Sequence, residues 1–481
     1  MSALNKIEHF VVLMLENRSF DNLLGQLYPA GPGFNGLTGR ESNPYTPPDG
    51  PPQTLAVWSN AQADRRTLRI PTPDPAELYV DMAQQIFGSA TPGEQVPGMQ
   101  GFADNYAKNG GKPRDIMHCF PPEQVPVLSL LARSFAVCDQ WHASAPCQTW
   151  PNRFFLHTGT ANGYPNNSPT HFPYRMNTLF NELGHAGVEW KIYFNDFPQS
   201  LTLSKLWPHV ERFRFYEEFR EDAKHGKLPA YTFIEPRYFP DLEFPNDQHP
   251  PHDVTFGEQL IADVYNHLRA SPCWEKSLLV ILYDEHGGCY DHAPPPLAVR
   301  PDDKQTGPFA FDRYGMRVPA VLVSPYIQPG TILRNAPDGL PHQGPPYPYD
   351  HTSVIATLRK RYGITRPLTR RDEVAPTLDA VLNLDNPTNH GPDSIPIPVC
   401  EVLEEELAAA RAAPLTDFQK AAHEAMAVLP ALGRMPVLGQ EMQELESLVR
   451  ALLGRLVGRV APGKAQEAAQ AIQAGLRRFL P

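Results

Sequence analysis

The apolar positions of this chain fall into short unbroken runs, and each run stops at a knot of polar residues. Phe10, Val11, Val12, Leu13, Met14 and Leu15 are consecutive and apolar, and Glu16, Asn17, Arg18, Ser19 and Asp21 follow at once. Such a run predicts an inner strand covered on both faces. The pattern recurs. Ser134 to Val137 precedes Cys138, Asp139, Gln140, Trp141 and His142; Leu278 to Tyr283 precedes Asp284, Glu285, His286, Gly287 and Gly288; Val318 to Val323 precedes Ser324 and Pro325. Between these runs the apolar spacing turns helical. Phe256, Leu260, Ile261, Val264, Tyr265 and Leu268 share one face. Asp350-His351-Thr352-Ser353 opens another helix, which closes on Arg359, Lys360 and Arg361 at the end where cations suit the helix dipole. Strands alternating with helices predict an α/β fold with a mainly parallel sheet flanked by helices.

The pattern changes after about residue 397. Residues 401–481 keep two aromatics, Phe418 and Phe479, and become rich in Ala, Leu, Glu, Gln and Arg. Leu445, Leu448, Leu452, Leu453, Leu456 and Val460 form an apolar stripe that Pro462-Gly463 interrupts. Residues 1–398 therefore read as a catalytic domain and residues 399–481 as a helical C-terminal extension. From Arg450 onward six basic residues face one acid. Such a tail suits docking on the core, on a second copy of the chain, or on a membrane surface.

Charge and composition narrow the chemistry. A formal net charge of −11 over 481 residues argues against a nucleic-acid partner. The 54 prolines, several in Pro-Pro pairs, predict long ordered loops. Six cysteines without C-x-x-C spacing predict free, mostly buried thiols. No cleavable leader is read at the N-terminus and no run approaches a membrane span, so the expectation is a cytoplasmic chain or one exported without a cleaved signal.

The polar knots carry the candidate chemistry. Ligands collect at the carboxyl ends of strands in open α/β sheets. Adjacent carboxylates there repel one another unless something positive lies between them, most simply a divalent cation. Glu16, Asn17, Asp284 and Glu285 offer hard oxygen ligands from two such ends. Thr149-Trp150-Pro151-Asn152-Arg153 places a hydroxyl on a proline-constrained loop, and a metal-bound threonine is a competent nucleophile. Asn152 and Arg153 suit loop bracing or an anionic substrate. No G-x-S-x-G elbow is present, and His423-Glu424 lacks the second histidine of a zincin.

Six motifs in order resemble the phosphoesterase family of phosphatidylcholine-type phospholipases C and acid phosphatases. They are E-N-R-S-F-D at Glu16 to Asp21, T-W-P-N-R at Thr149 to Arg153, H-P-P-H-D at His249 to Asp253, D-E-H-G-G-x-x-D-H at Asp284 to His292, R-V-P-x-x-x-x-S-P at Arg317 to Pro325, and D-H-T-S at Asp350 to Ser353. The resemblance spans roughly residues 5 to 398. It implies an alkaline-phosphatase-like sandwich and one divalent metal (calcium, magnesium or zinc) held by Glu16, Asn17, Asp284 and Glu285. Thr149 would be both ligand and nucleophile. His249, His252 and His351 match histidines that bind phosphate oxygens or protonate the leaving group, with His249 preferred as donor and His351 counted as catalytic. Asn152 is expected on the substrate side. One departure stands out. Where the family often carries histidine in D-P-x-H, this chain has Asp74-Pro75-Ala76-Glu77. Glu77 therefore faces phosphate as a repelling carboxylate, or acts as a further metal ligand. The expected activity is hydrolysis of phospholipid head groups. A phosphomonoesterase with the same site is the nearest alternative. An inactive lipid- or partner-binding protein acting through its basic tail is the alternative of another class.

Overall fold

The computed structural model describes residues 3–60, 62, 64–88, 96–307, 309–335, 344–428 and 464–479. Eight strands form the main sheet. They are β1 (His9–Leu15), β2 (Ala136–Cys138), β3 (Trp190–Phe194), β4 (Phe213–Phe215), β5 (Tyr231–Glu235), β6 (Ser277–Tyr283), β7 (Ala320–Val323) and β8 (Thr331–Leu333). Their spatial order is β8-β2-β7-β6-β1-β5-β3-β4. All pairings are parallel except those of β7, which runs antiparallel to β2 and β6. Helices flank the sheet, so the predicted α/β architecture is the observed one.

The unbroken apolar runs are the central strands. Every residue of β6, and every residue of β1 after His9, is buried. Their register pairs Leu15 with Tyr283. The next residues, Glu16 and Asp284, therefore leave the sheet side by side at its carboxyl edge. Helix Val254–Arg269 buries Leu260, Ile261, Val264, Tyr265 and Leu268 as their spacing predicts, and helix Thr352–Tyr362 ends at the left-handed Gly363.

Two local expectations are corrected. Ser134 closes helix Pro126–Ser134 instead of opening a strand; the backbone breaks at Phe135 and β2 begins at Ala136. The segment from Thr149 is the first turn of helix Thr149–Thr158, not a loop. Pro151 is compatible with that turn because its missing N–H would have no intrahelical acceptor there.

In the C-terminal extension, helices Glu404–Ala412, Asp417–Val428 and Ala465–Phe479 are described. Phe418 packs among Phe197, Tyr238 and Phe239, and Gln419 Nε2 donates to the Tyr238 carbonyl (2.8 Å). Glu406 takes Arg65 (2.6 Å) and Arg69 (2.9 Å). The stripe from Leu445 to Val460, with Arg450, Arg455 and Arg459, lies outside the described residues. All six cysteines are free, five of them buried. No described helix is long and apolar enough to cross a membrane.

Candidate active site

The two central strand ends interlock. Asn17 takes a left-handed backbone (φ 55°), and its N–H donates to Asp284 Oδ1 (3.0 Å). Its side-chain amide donates to Glu285 Oε1 (2.9 Å) and to Glu77 Oε1 (2.7 Å). Its Oδ1 accepts from Thr149 Oγ1 (3.4 Å). Asn17 thus joins three chain segments through one side chain. Glu16 is fully buried; Gln199 Nε2 donates to its Oε1 (2.6 Å), while its Oε2 has no partner. Two glycines close the cluster. A Cβ on Gly287 (φ 61°) would lie 2.0 Å from the Asn17 carbonyl oxygen, and one on Gly288 (φ 64°) would lie 2.6 Å from Pro75 Cβ. Only a bare backbone lets this loop touch Asn17 on one side and the Asp74–Glu77 segment on the other.

Thr149 stands at the positive end of its helix, where an alkoxide or phosphate is favoured. Asn152, one turn on, faces back into the preceding loop. It accepts from the Ala145 N–H (3.1 Å) and donates to the carbonyls of Ala145, Cys147 and Gln148. Its amide holds the approach to Thr149 and has no group turned toward substrate. Arg153 is buried among acids: 3.2 Å from Asp284 Oδ2, 3.4 Å from Glu16 Oε1 and 3.9 Å from Glu235 Oε2.

The histidines differ. His351 accepts from Trp141 at Nδ1 (3.3 Å) and donates from Nε2 to the Asp284 carbonyl (2.7 Å). Both its nitrogens are engaged, so in this arrangement it positions Asp284 and has no proton for a leaving group. His249 points Nδ1 at the Pro250 carbonyl (2.5 Å) and Nε2 at Glu77 Oε1 (3.8 Å); burial pushes its pKa down to about 4. His252 pairs Nδ1 with Asp247 Oδ1 (2.6 Å) and keeps 18% of its side chain exposed.

Burial pushes the Glu16 and Glu285 carboxyls well above their ordinary range, and the neighbouring Asp284 charge adds to both. Glu77 is raised by burial and then by Glu285. Carboxylates, an amide oxygen and a hydroxyl are the donor types that a divalent cation takes; Arg153 offsets part of the charge at Glu16 and Asp284, while Glu16 Oε2 keeps no partner. A second acidic cluster, Asp21, Asp291 and His292, is already filled by Arg317, which reaches Asp21 (2.9 Å) and Asp291 (3.0 Å).

The structure gathers Glu16, Asn17, Thr149, Asp284, Glu285, Glu77 and His249, with His252 joined through Asp247. Gln199, Glu235, Asp247 and Asp74 were not singled out as site residues. Asp247 had a usable signal, two residues before the H-P-P-H run. Gln199 had none, since it arrives from the end of a different strand.

The phosphoesterase-family model matches residues 7–365. Non-specific phospholipase C3 of Arabidopsis thaliana is 39% identical to the chain, over 89% of this chain and 83% of that protein. Non-specific phospholipase C6 of the same plant is 40% identical, over 81% and 75%. Non-hemolytic phospholipase C of Pseudomonas aeruginosa is 26% identical, over 80% of this chain and 58% of that protein.

Proposed function

The chain belongs to the phosphoesterase family, and from that premise we propose a metal-dependent phospholipase C that cleaves a phospholipid head group through Thr149. One observation carries the reading. The Thr149 hydroxyl, at a helix N-terminus, rests on the Asn17 amide oxygen beside the buried Glu16, Asp284 and Glu285.

A divalent ion held by Glu16, Asn17, Asp284, Glu285 and Thr149 would supply the charge that favours the Thr149 alkoxide and neutralises phosphoryl oxygens. Thr149 Oγ, its proton released to solvent, attacks phosphorus, and the bond from phosphorus to the diacylglycerol oxygen breaks. A histidine gives that oxygen its proton. Water then attacks the phosphothreonine, returns a proton to the same histidine and frees the phosphorylated head group. We assign this exchange to His252 in place of His249. Buried His249, with its one proton directed at Pro250, has none on Nε2 near neutral pH. His252 is oriented by Asp247 through Nδ1 and keeps part of its ring accessible, the geometry that a proton-exchanging histidine needs. A cavity of about 340 Å³ lies against His252, lined by Pro240, Phe244, Pro251, Ala409 and Ala410 together with the charged Arg69, Asp253 and Glu406. The apolar part of its lining supports a lipid substrate over a soluble monoester.

Turnover of para-nitrophenyl phosphorylcholine and phosphatidylcholine vesicles, compared with para-nitrophenyl phosphate, tests the reading. The diesters should dominate, and Thr149→Ala should lower their turnover by on the order of 10³-fold or more. Chelation should abolish it, and add-back of calcium, magnesium or zinc should identify the ion. A preference for the monoester would favour the phosphomonoesterase. No turnover of any ester, with vesicle binding intact, would favour a binding protein.

A further inference from the structure

Glu77, where the chain departs from the D-P-x-H pattern, has neighbours that the one-metal reading leaves unexplained. Asp74, Glu77 and His249 each place one donor atom within 4.8 Å of the others. His249 Nδ1 lies 2.5 Å from the Pro250 carbonyl, which can only accept, so the ring proton sits there. Nε2 then presents a lone pair to Glu77 Oε1 at 3.8 Å. The imidazole is 3% exposed, and Asp74 Oδ1 lies 3.7 Å from its Nδ1. Asp74 Oδ1 is likewise buried without a hydrogen-bond partner, although the Asp74 side chain as a whole keeps 30% of its surface. Facing acceptors in a buried place repel, and the nearby Glu285 carboxylate, held on the same Asn17 amide, adds to the charge.

We infer that Asp74, Glu77 and His249 form a second divalent-cation site, joined to the first through the Asn17 amide. A neutral imidazole whose other nitrogen donates to a backbone carbonyl is the usual state of a metal-ligating histidine. Two carboxylates and one imidazole suit zinc or manganese, whereas the all-oxygen first site suits calcium or magnesium. A proton shared by Glu77 and Glu285 would relieve one repulsion and still leave Asp74 Oδ1 without a partner. The second ion therefore accounts for more of the geometry. The inference rests on the proposed first site only for the total number of ions expected.

Metal analysis tests it on the full chain, stripped with chelator and dialysed against zinc or manganese alone and then with calcium. Wild type should hold two equivalents. Asp74→Asn and Glu77→Gln, each checked for a cooperative melt, should hold one, with zinc affinity lowered by more than the about 10–100-fold that loss of an outer partner costs. Asp284→Asn should lose the other equivalent and keep zinc. One equivalent in wild type, unchanged in Asp74→Asn and Glu77→Gln, would overturn the second site and leave the first standing. One equivalent lost in those two variants but kept in Asp284→Asn would uphold the second site and remove the first. No bound metal in wild type would remove both.

Discussion

Asn17 and Asn152 show how one amide can serve different ends. Asn17 distributes its amide among Thr149, Glu285 and Glu77, so it fixes these three side chains relative to one another. Asn152 directs its amide into residues 145–148 and serves the chain, not the substrate. Asn152→Ala would leave buried backbone groups of that loop unpaired at about 1–3 kcal/mol each, so a loss of roughly 2–4 kcal/mol is expected in urea denaturation. A change below 0.5 kcal/mol would show the loop to be held by other means. Arg153 makes the reverse case. It was legible as a candidate for binding an anionic substrate, yet it lies beneath Glu16 and Asp284 as their buried counter-charge. Sequence supplies the residue type; it does not supply the partner, because that partner comes from a strand more than 130 residues away.

At the scale of elements, the continuous apolar runs marked β1 and β6 because a strand buried on both faces has no polar position to alternate with. The helix over 254–269 was legible from its period for a similar reason. The turn at Thr149 was not, since a proline within a helix and a proline in a loop look alike until the helix's first turn is located. Docking of the C-terminal helices depends on Phe418 among Phe197, Tyr238 and Phe239. Phe418→Ala should cost about 3–5 kcal/mol of local packing and speed proteolytic cleavage near residues 399–416. An unchanged cleavage rate would mean that the extension is held through Glu406 and its arginines instead.

For the whole molecule, the buried carboxylates make stability depend on pH and on metal together. Glu16, Glu77 and Glu285 are raised above the ordinary glutamate value of 4.5. The metal-free folded chain therefore holds protons that the unfolded chain releases, and its stability falls as pH rises from about 4.5 toward neutrality. Thermal melts of the stripped protein should show Tm dropping over that window, with a divalent ion removing most of the slope at neutral pH. A flat profile without metal would mean that Arg153 and the local donors already balance the cluster. The chain by itself determined the α/β class, the strand ends that carry Glu16, Asn17, Asp284 and Glu285, and the family, since all of these are written in local runs and contiguous motifs. The tertiary structure decided that both nitrogens of His351 are engaged, that Arg153 lies beneath the acids, and that Glu77 stands beside Asp74 and His249. Those are matters of burial and direction between distant segments, and periodicity along a chain records neither.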